Sequence, residues 1–265
     1  MSTYWATRSD DLERCLKSLV AQTLPASEIV LVRDGPVGDD VEHCINQFRG
    51  TLPFNHLHLP KNKGLGEALK LGLEACHHEL VARVDTDDWS ISNRFSLQSD
   101  FLTQHIAISA VGGWLKEHYS DTYGRGSVVR KTPLNISDIN LSAKRRNPVN
   151  HPTVMFRRSH IMSCGNYKPC HLFEDYYLWA RMLKQGYLIE NLPTVLVQTE
   201  VDSNYFKRRG GLMYIRSELE LVTKLMNIRF ISSLEATLFI LTRLPIRILP
   251  VYFRKMIYRY FLRRS

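Results

Sequence analysis

Residues 12 to 88 alternate between two hydrophobic periods, and that alternation constrains the fold more than any other feature of the chain. Leu12, Cys15, Leu16, Leu19 and Val20 recur at spacings of three and four, which predicts an amphipathic helix over Leu12 to Gln22. Asp10 and Asp11 are candidate caps at its start, and Pro25 follows its end. The β-branched run Glu28 to Arg33 reads as a strand that stops at the turn Asp34-Gly35-Pro36. A helix over Asp39 to Phe48, an alternating strand over Asn55 to Leu59 and a helix over Gly64 to Ala75 follow. Leu80 to Val84 is then a strand that runs into Asp85-Thr86-Asp87-Asp88. Strands alternating with helices predict a doubly wound α/β sheet, whose ligands bind at the carboxyl ends of the strands. Asp34 and the Asp85 to Asp88 cluster both lie at such ends.

Beyond Asn93 the pattern loosens into a helix over Arg94 to His105, a strand over Ile108 to Val111 and a polar stretch from Glu117 to Pro148. With 265 residues there is room for one α/β domain and a small appendage. The five cysteines are scattered without a CxxC pair, which suits a reducing compartment and argues against structural zinc. The start, Met1-Ser2-Thr3-Tyr4-Trp5, lacks the basic-then-apolar pattern of a secretory signal. No uncharged apolar run approaches the roughly 18 residues needed to span a bilayer. The chain is therefore expected in the cytoplasm unless something holds it to a surface.

Charge supplies such a feature. Residues 204–265 carry 13 Lys and Arg against 3 Asp and Glu, a net +10, so residues 1–203 carry −1 of the chain's +9. The basic quarter is also rich in aliphatic and aromatic residues, and such a segment can lie in lipid headgroups with its cations on anionic lipid. The competing reading is a C-terminal helix pair packed on the core with a solvated basic face. Nucleic acid is disfavoured because no recognised nucleic-acid fold accompanies the charge. Pro245 and Pro250 predict two or three short helices here rather than one long one. The expected organisation is an α/β domain over 1–203 and a basic amphipathic helical segment over 204–265.

Three carboxylates within four residues, Asp85, Asp87 and Asp88, repel one another unless cations neutralise them, and hard oxygen donors suit Mg²⁺ or Mn²⁺ shared with a substrate diphosphate. The alternative is an Asp-rich turn in which Asp88 caps the helix that follows. Glu174 and Asp175 open an apolar helical stretch, either as ordinary first-turn acids or as a general base in a partly enclosed pocket. His56, His58, His77 and His78 read as structural, and Lys61 to Gly66 matches neither a P-loop nor a dinucleotide fingerprint.

The order of these motifs resembles glycosyltransferase family 2, inverting enzymes of the GT-A fold that use nucleotide-activated sugars, and within it enterobacterial enzymes that build O-antigen or exopolysaccharide repeat units. The resemblance covers about residues 1–200 through Ser2-Thr3-Tyr4, Ser18 to Thr23, Glu28 to Gly35, Asn62 to Leu69, Arg83 to Asp88 and Phe173-Glu174-Asp175. It implies a GT-A sheet, mostly parallel and flanked by helices. It places Thr3, Tyr4, Asp34, Lys63, Gly64, Arg83 and Asp85 around the donor nucleotide, and Asp87 or Asp88 at a Mn²⁺ or Mg²⁺ ion. Asp175 becomes the catalytic base, with Glu174 beside it, and His151 in Asn147 to Thr153 borders the acceptor. The resemblance further implies a peripheral enzyme on the cytoplasmic face of the bacterial inner membrane. It would add one hexose to a polyprenyl-diphosphate-linked sugar, with UDP-galactose, GlcNAc-diphosphate-undecaprenol and a β1,3 bond favoured, and with UDP-glucose or another donor in exopolysaccharide or capsule synthesis as the alternative. The rivals are a sugar nucleotidyltransferase and a non-catalytic nucleotide-sugar binding module. Members of the family usually carry an apolar strand ahead of the Ser-Thr-Tyr position. Its absence here leads to the expectation that the start at Met1 is internal, or that the sheet lacks this strand. The Gln-x-x-Arg-Trp signature of processive synthases is absent, which favours transfer of a single sugar.

Overall fold

A computed structural model describes residues 1–119, 126–201, 209–250 and 253. The N-terminal half follows the alternation in the sequence. Strand β1 (Ser2–Thr3) is followed by α1 (Ser9–Val20), β2 (Ile29–Asp34), α2 (Asp39–Gln47), β3 (Phe54–Leu59), α3 (Leu65–Glu74) and β4 (Leu80–Ala82). Helix α1 buries Leu12, Cys15, Leu16 and Leu19, the stripe that its spacing predicts. Its N-cap is Arg8, so Asp10 and Asp11 sit inside the first turn, where their charge meets the positive end of the helix dipole. Strands β1, β2 and β3 pair in parallel in that order, Ser2 against Val32 and Ile29 against Phe54. Strand β1 consists of Ser2 and Thr3 alone. A cavity of about 420 Å³ separates β2 from β4, lined by Met1, Val30, Leu69, Val81, Phe156 and Tyr167 among others.

The second half holds β5 (Asp88–Ser90), α4 (Arg94–Gln104), β6 (Ile108–Tyr119), β7 (Gly126–Arg130), α5 (Ile136–Ala143), a 3-10 turn at His151–Thr153 and β8 (Met155–Arg157). Then come α6 (Arg158–Ser163), α7 (Glu174–Lys184), β9 (Leu188–Val201), α8 (Leu212–Asn227) and α9 (Ser233–Ile248). Strands β4-β8-β6-β9-β5 form a sheet with β7 on β6. The α/β class and its flanking helices are as expected, and the pairing in this sheet is mixed. The β6–β9 ladder is parallel, while β4, β5, β7 and β8 each pair antiparallel to a neighbour. Asp88 opens β5, paired with Thr199, and Asn93 caps α4, so Asp88 does not serve as the helix cap.

Helices α8 and α9 pack onto α7 through Leu221, Val222, Leu225 and Phe239 against Phe173, Tyr176 and Ala180. Of the basic segment 204–265, residues 204–208, 251–252 and 254–265 lie outside the described residues. Within the rest, α9 runs continuously through Pro245, contrary to the break expected there, and ends one residue before Leu249-Pro250. Pro245 is exposed, so the carbonyl one turn earlier that loses its donor can be hydrated. Among the described residues, no helix is long and apolar enough to cross a membrane.

Candidate active site

The ends of β2 and β4, the N-terminus of α3 and the N-terminus of α7 converge, and each brings a carboxylate or a loop that a carboxylate holds. Asp34 closes β2 and is buried. Its Oδ1 accepts from the Lys63 backbone N–H at 2.6 Å and its Oδ2 from that of Gly64 at 3.0 Å. The carboxylate thus anchors the loop leading into α3. Gly35 makes the turn possible: its φ is +86°, and a Cβ there would lie 2.7 Å from the Asn62 backbone nitrogen.

At the end of β4, buried Arg83 pairs with Asp85 and donates to the Val84 carbonyl. Behind it Arg94, buried on α4, donates to the Arg83 carbonyl at 2.8 Å, to Ser90 Oγ at 3.0 Å and to Gln98 Oε1 at 3.0 Å. This network fixes the turn from below. The three acids of the cluster have different surroundings. Asp85 is neutralised by Arg83. Asp88 is buried on β5 with a hydrogen bond from Thr199, and desolvation followed by the charges of Asp85 and Asp87 drives its carboxyl well above the usual range. Asp87 reaches solvent, and desolvation in its concavity, then the like charge of Asp85, raises it too. Among the described residues no group of three or more His, Cys, Asp or Glu forms a metal site by itself.

Helix α7 opens with Glu174 and Asp175. Asn147 Nδ2 donates to Asp175 Oδ2 at 2.6 Å, and the Tyr176 N–H donates to Oδ1 at 2.7 Å, so both carboxylate oxygens are held. The Val149 N–H donates to Asn147 Oδ1 at 3.3 Å, which orients the amide with its NH₂ toward Asp175. Glu174 is packed against α3, where a Cβ on Gly66 would come 2.8 Å from its Cγ. Burial pushes the Glu174 carboxyl up to about 7, with the charge of Asp175 adding to the rise. His151 Nε2 lies 2.9 Å from the Tyr167 hydroxyl and edge-on to Trp179, and burial lowers its pKa.

The structure therefore joins Asp34, Lys63 and Gly64 directly, and Arg83 with Asp85. His151 and Tyr167 feel the charges of Arg83, Asp85 and Asp175, which makes one electrostatic cluster of the turn and the α7 start. Thr3 is fully buried beside β2, its hydroxyl without a partner among the described residues. Tyr4 is exposed and stands apart, with its N–H on Thr7 and its ring against Trp5. Sequence reasoning gave no role to Tyr167, Arg94 or Gln98, and passed over Asn147 in favour of His151. Only Asn147 carried a signal, being in the Asn147 to Thr153 stretch already singled out.

Residues 1–165 match the family model "Glycosyl transferase family 2". The chain belongs to that family. It is 36% identical over 258 residues to the amylovoran biosynthesis glycosyltransferase AmsE of Erwinia amylovora, covering 97% of this chain and 96% of that one. It is 35% identical over 253 residues to the UDP-Gal:alpha-D-GlcNAc-diphosphoundecaprenol beta-1,3-galactosyltransferase of Escherichia coli, covering 96% and 91%. Among solved structures it resembles S. aureus TarS 1–349 in complex with UDP-GlcNAc, with a TM-score of 0.66 at 15% identity over 98% of this chain and 72% of that one. It also resembles the mannosyltransferase PcManGT of Pyrobaculum calidifontis in complex with GDP-Man and Mn²⁺, with a TM-score of 0.64 at 13% identity over 99% and 80%. The fold is GT-A, and the protein is a glycosyltransferase. That outcome removes the nucleotidyltransferase and the non-catalytic module from consideration.

Proposed function

We propose that this enzyme transfers a single hexose, with inversion, from a UDP-sugar to a polyprenyl-diphosphate-linked sugar in repeat-unit assembly. UDP-galactose, GlcNAc-diphosphate-undecaprenol and a β1,3 bond are the favoured donor, acceptor and linkage. The observation that carries this choice is near full-length similarity to a galactosyltransferase bearing that name. The equal similarity to an exopolysaccharide enzyme favours a second reading, UDP-glucose or another donor in exopolysaccharide or capsule synthesis. In both, the enzyme works peripherally on the cytoplasmic face of the bacterial inner membrane, with 1–203 as the catalytic domain and 204–265 as the membrane-associating segment.

Asp175 takes the proton of the acceptor hydroxyl as that oxygen attacks the anomeric carbon from the face opposite UDP. The bonds from Asn147 and the Tyr176 N–H hold its carboxylate in a single orientation for this step. His151 and Tyr167 border the acceptor. Thr3, Tyr4 and the Asp34-anchored loop with Lys63 and Gly64 receive the nucleotide, and Arg83 holds Asp85 at its diphosphate end. The donor set fits a hard divalent ion: Asp87 reaches open space while Asp88 is enclosed, and an ion there needs substrate oxygens to complete its shell. When bound, Mn²⁺ or Mg²⁺ stabilises charge on the departing diphosphate.

The test is nucleotide release from a panel of UDP- and GDP-sugars, with Mn²⁺ or with EDTA, using a synthetic GlcNAc-diphosphate-lipid acceptor. UDP release that requires metal and acceptor, with UDP-galactose fastest, is expected. Release from UDP-glucose alone selects the second reading, and release from no UDP-sugar refutes both.

A further inference from the structure

Helix α9 is inside out for a surface helix. Its outward positions are Ser233, Leu234, Thr237, Leu238, Leu241, Thr242, Pro245 and Ile248, and none is charged. Leu234, Leu238, Leu241 and Ile248, at spacings of four, three and seven, form one exposed stripe, and Leu238, the least open, is still 52% exposed. The three charged residues of α9 are all turned inward or to its flank. Glu235 takes Lys144 at 2.8 Å and closes a capping box with Ser232. Arg243 and Arg247 both bind Glu218, which is buried on α8, at 3.0 Å. A helix at a water interface normally does the reverse.

The stripe extends past α9. Arg247 donates to the Arg209 carbonyl and accepts from the Gly211 N–H through its own carbonyl, which sets the start of α8 beside the end of α9. Leu212 and Met213, exposed by 85% and 71%, stand at that start. Contiguous apolar surface of this kind marks a contact site. What it meets is indicated by charge. The sequence after Ile248 has five Lys and Arg, no Asp or Glu and five aromatic residues in its last 17 positions. A second copy of the chain would bring one +10 segment against another, whereas an anionic bilayer offers hydrocarbon to the stripe and opposite charge to the basic sequence that follows it.

We infer that the outer face of α9, with the start of α8, is the surface that seats this enzyme on anionic lipid, by apolar insertion rather than through the arginines of α9. This rests on the proposed use of a lipid-linked acceptor and names the face that meets its membrane. The face is also tied to the chemistry. Phe239 of α9 packs on Tyr176, ring centroids 6.3 Å apart, and Tyr176 follows Asp175 in α7. Seating α9 therefore fixes the height and tilt of the base over the bilayer from which the acceptor projects.

The test uses the full chain and Leu238→Gln/Leu241→Gln, whose sites are exposed and remote from Asp175, with circular dichroism to establish folding. Three quantities are read: sedimentation with phosphatidylethanolamine/phosphatidylglycerol vesicles, sugar transfer to a long-chain acceptor in those vesicles, and transfer to a short-chain, water-soluble acceptor. Vesicle partition of the variant is expected to fall at least about tenfold. Transfer to the embedded acceptor should fall with it, while transfer to the soluble acceptor stays unchanged. Unchanged partition overturns the inference, as does a dimer in light scattering that the substitutions dissociate while partition stays the same. If the wild type uses neither acceptor the functional reading fails, and the vesicle measurement still decides this one.

Discussion

Glu174 and Asp175 are adjacent acids with different physical fates, and replacing Glu174 by Gln separates them. The Glu174 carboxyl sits near 7 in the folded protein because α3 packs over it at Gly66, whereas the unfolded chain leaves it near 4.5. The gap of about 2.5 units, at about 1.36 kcal/mol per unit, sets a ceiling near 3 kcal/mol. Because the side chain is partly open to solvent, about 1–2 kcal/mol is the expected effect. The sign follows from which state holds the proton. Below about pH 4.5 both states are protonated and the site contributes no difference. Between about 4.5 and 7 the unfolded chain ionises first, so wild-type stability falls as pH rises, and above about 7 the loss is complete. Gln stays neutral throughout. Urea unfolding of both proteins across this range should give matching stabilities at the acid end and a variant more stable by about 1–2 kcal/mol near pH 8. Other titrating groups are common to both proteins and cancel in the difference. Transfer by the variant should persist, since Asp175 is the proposed base. A stability difference that does not change with pH would refute the burial argument, and loss of turnover would make Glu174 the base.

Asp175→Asn should lower turnover by about three orders of magnitude or more while leaving UDP-sugar affinity, measured by calorimetry, within about twofold. Asn147→Ala should lower kcat by about tenfold or more with little change in the donor KM, because it frees the proposed base without touching the proposed nucleotide site; a change confined to KM would place Asn147 in binding instead. Asp34→Ala removes the acceptor of two part-buried N–H groups that water can then reach, and should cost about 1–3 kcal/mol in chemical denaturation, with weaker donor binding as the α3 loop loosens. Gly66→Ala should destabilise by about 1–3 kcal/mol through its contact with Glu174, and a Glu174→Ala background should relieve most of it in a double-mutant cycle.

The first half of the fold was legible because its signals are local. Each helix from α1 to α3 shows its buried stripe within a dozen residues, β2 ends on Asp34, and β4 is followed within three residues by Asp85. The second half was not, because its core is a ladder between β6 and β9, about 80 residues apart, with three register shifts. Neither strand alternates cleanly, β9 contains Pro193, and the strand expected over Ile108 to Val111 extends to Tyr119. The orientation of α9 was hidden for the same reason. Arg243 and Arg247 look like a solvated basic face until Glu218, 25 and 29 residues earlier, is seen to draw both inward. Asn147 gave no periodic or charge signal, and its partner is 28 residues away.

These hidden partners give each acid its own surroundings. The sequence offers Asp34, Asp85, Asp87, Asp88, Glu174 and Asp175 as equivalent carboxylates at strand ends or a helix start. Folding assigns each a different neighbour. Asp34 is satisfied by two backbone N–H groups of the α3 loop, Asp85 by Arg83, and Asp88 by enclosure with Thr199, while Glu174 is driven toward neutrality under α3. Asp87 and Asp175 remain, the first reaching solvent beside the Arg83 turn and the second held in one orientation by Asn147 and the Tyr176 N–H. The proposed inverting transfer needs negative charge at two places, a cation site at the departing diphosphate and a base at the attacking hydroxyl. With the other four hydrogen-bonded, ion-paired or driven toward neutrality, those two are the acids proposed for these places. The substitutions that probe Asp34 and Glu174 should therefore act first on stability, and those at Asp87 and Asp175 first on turnover.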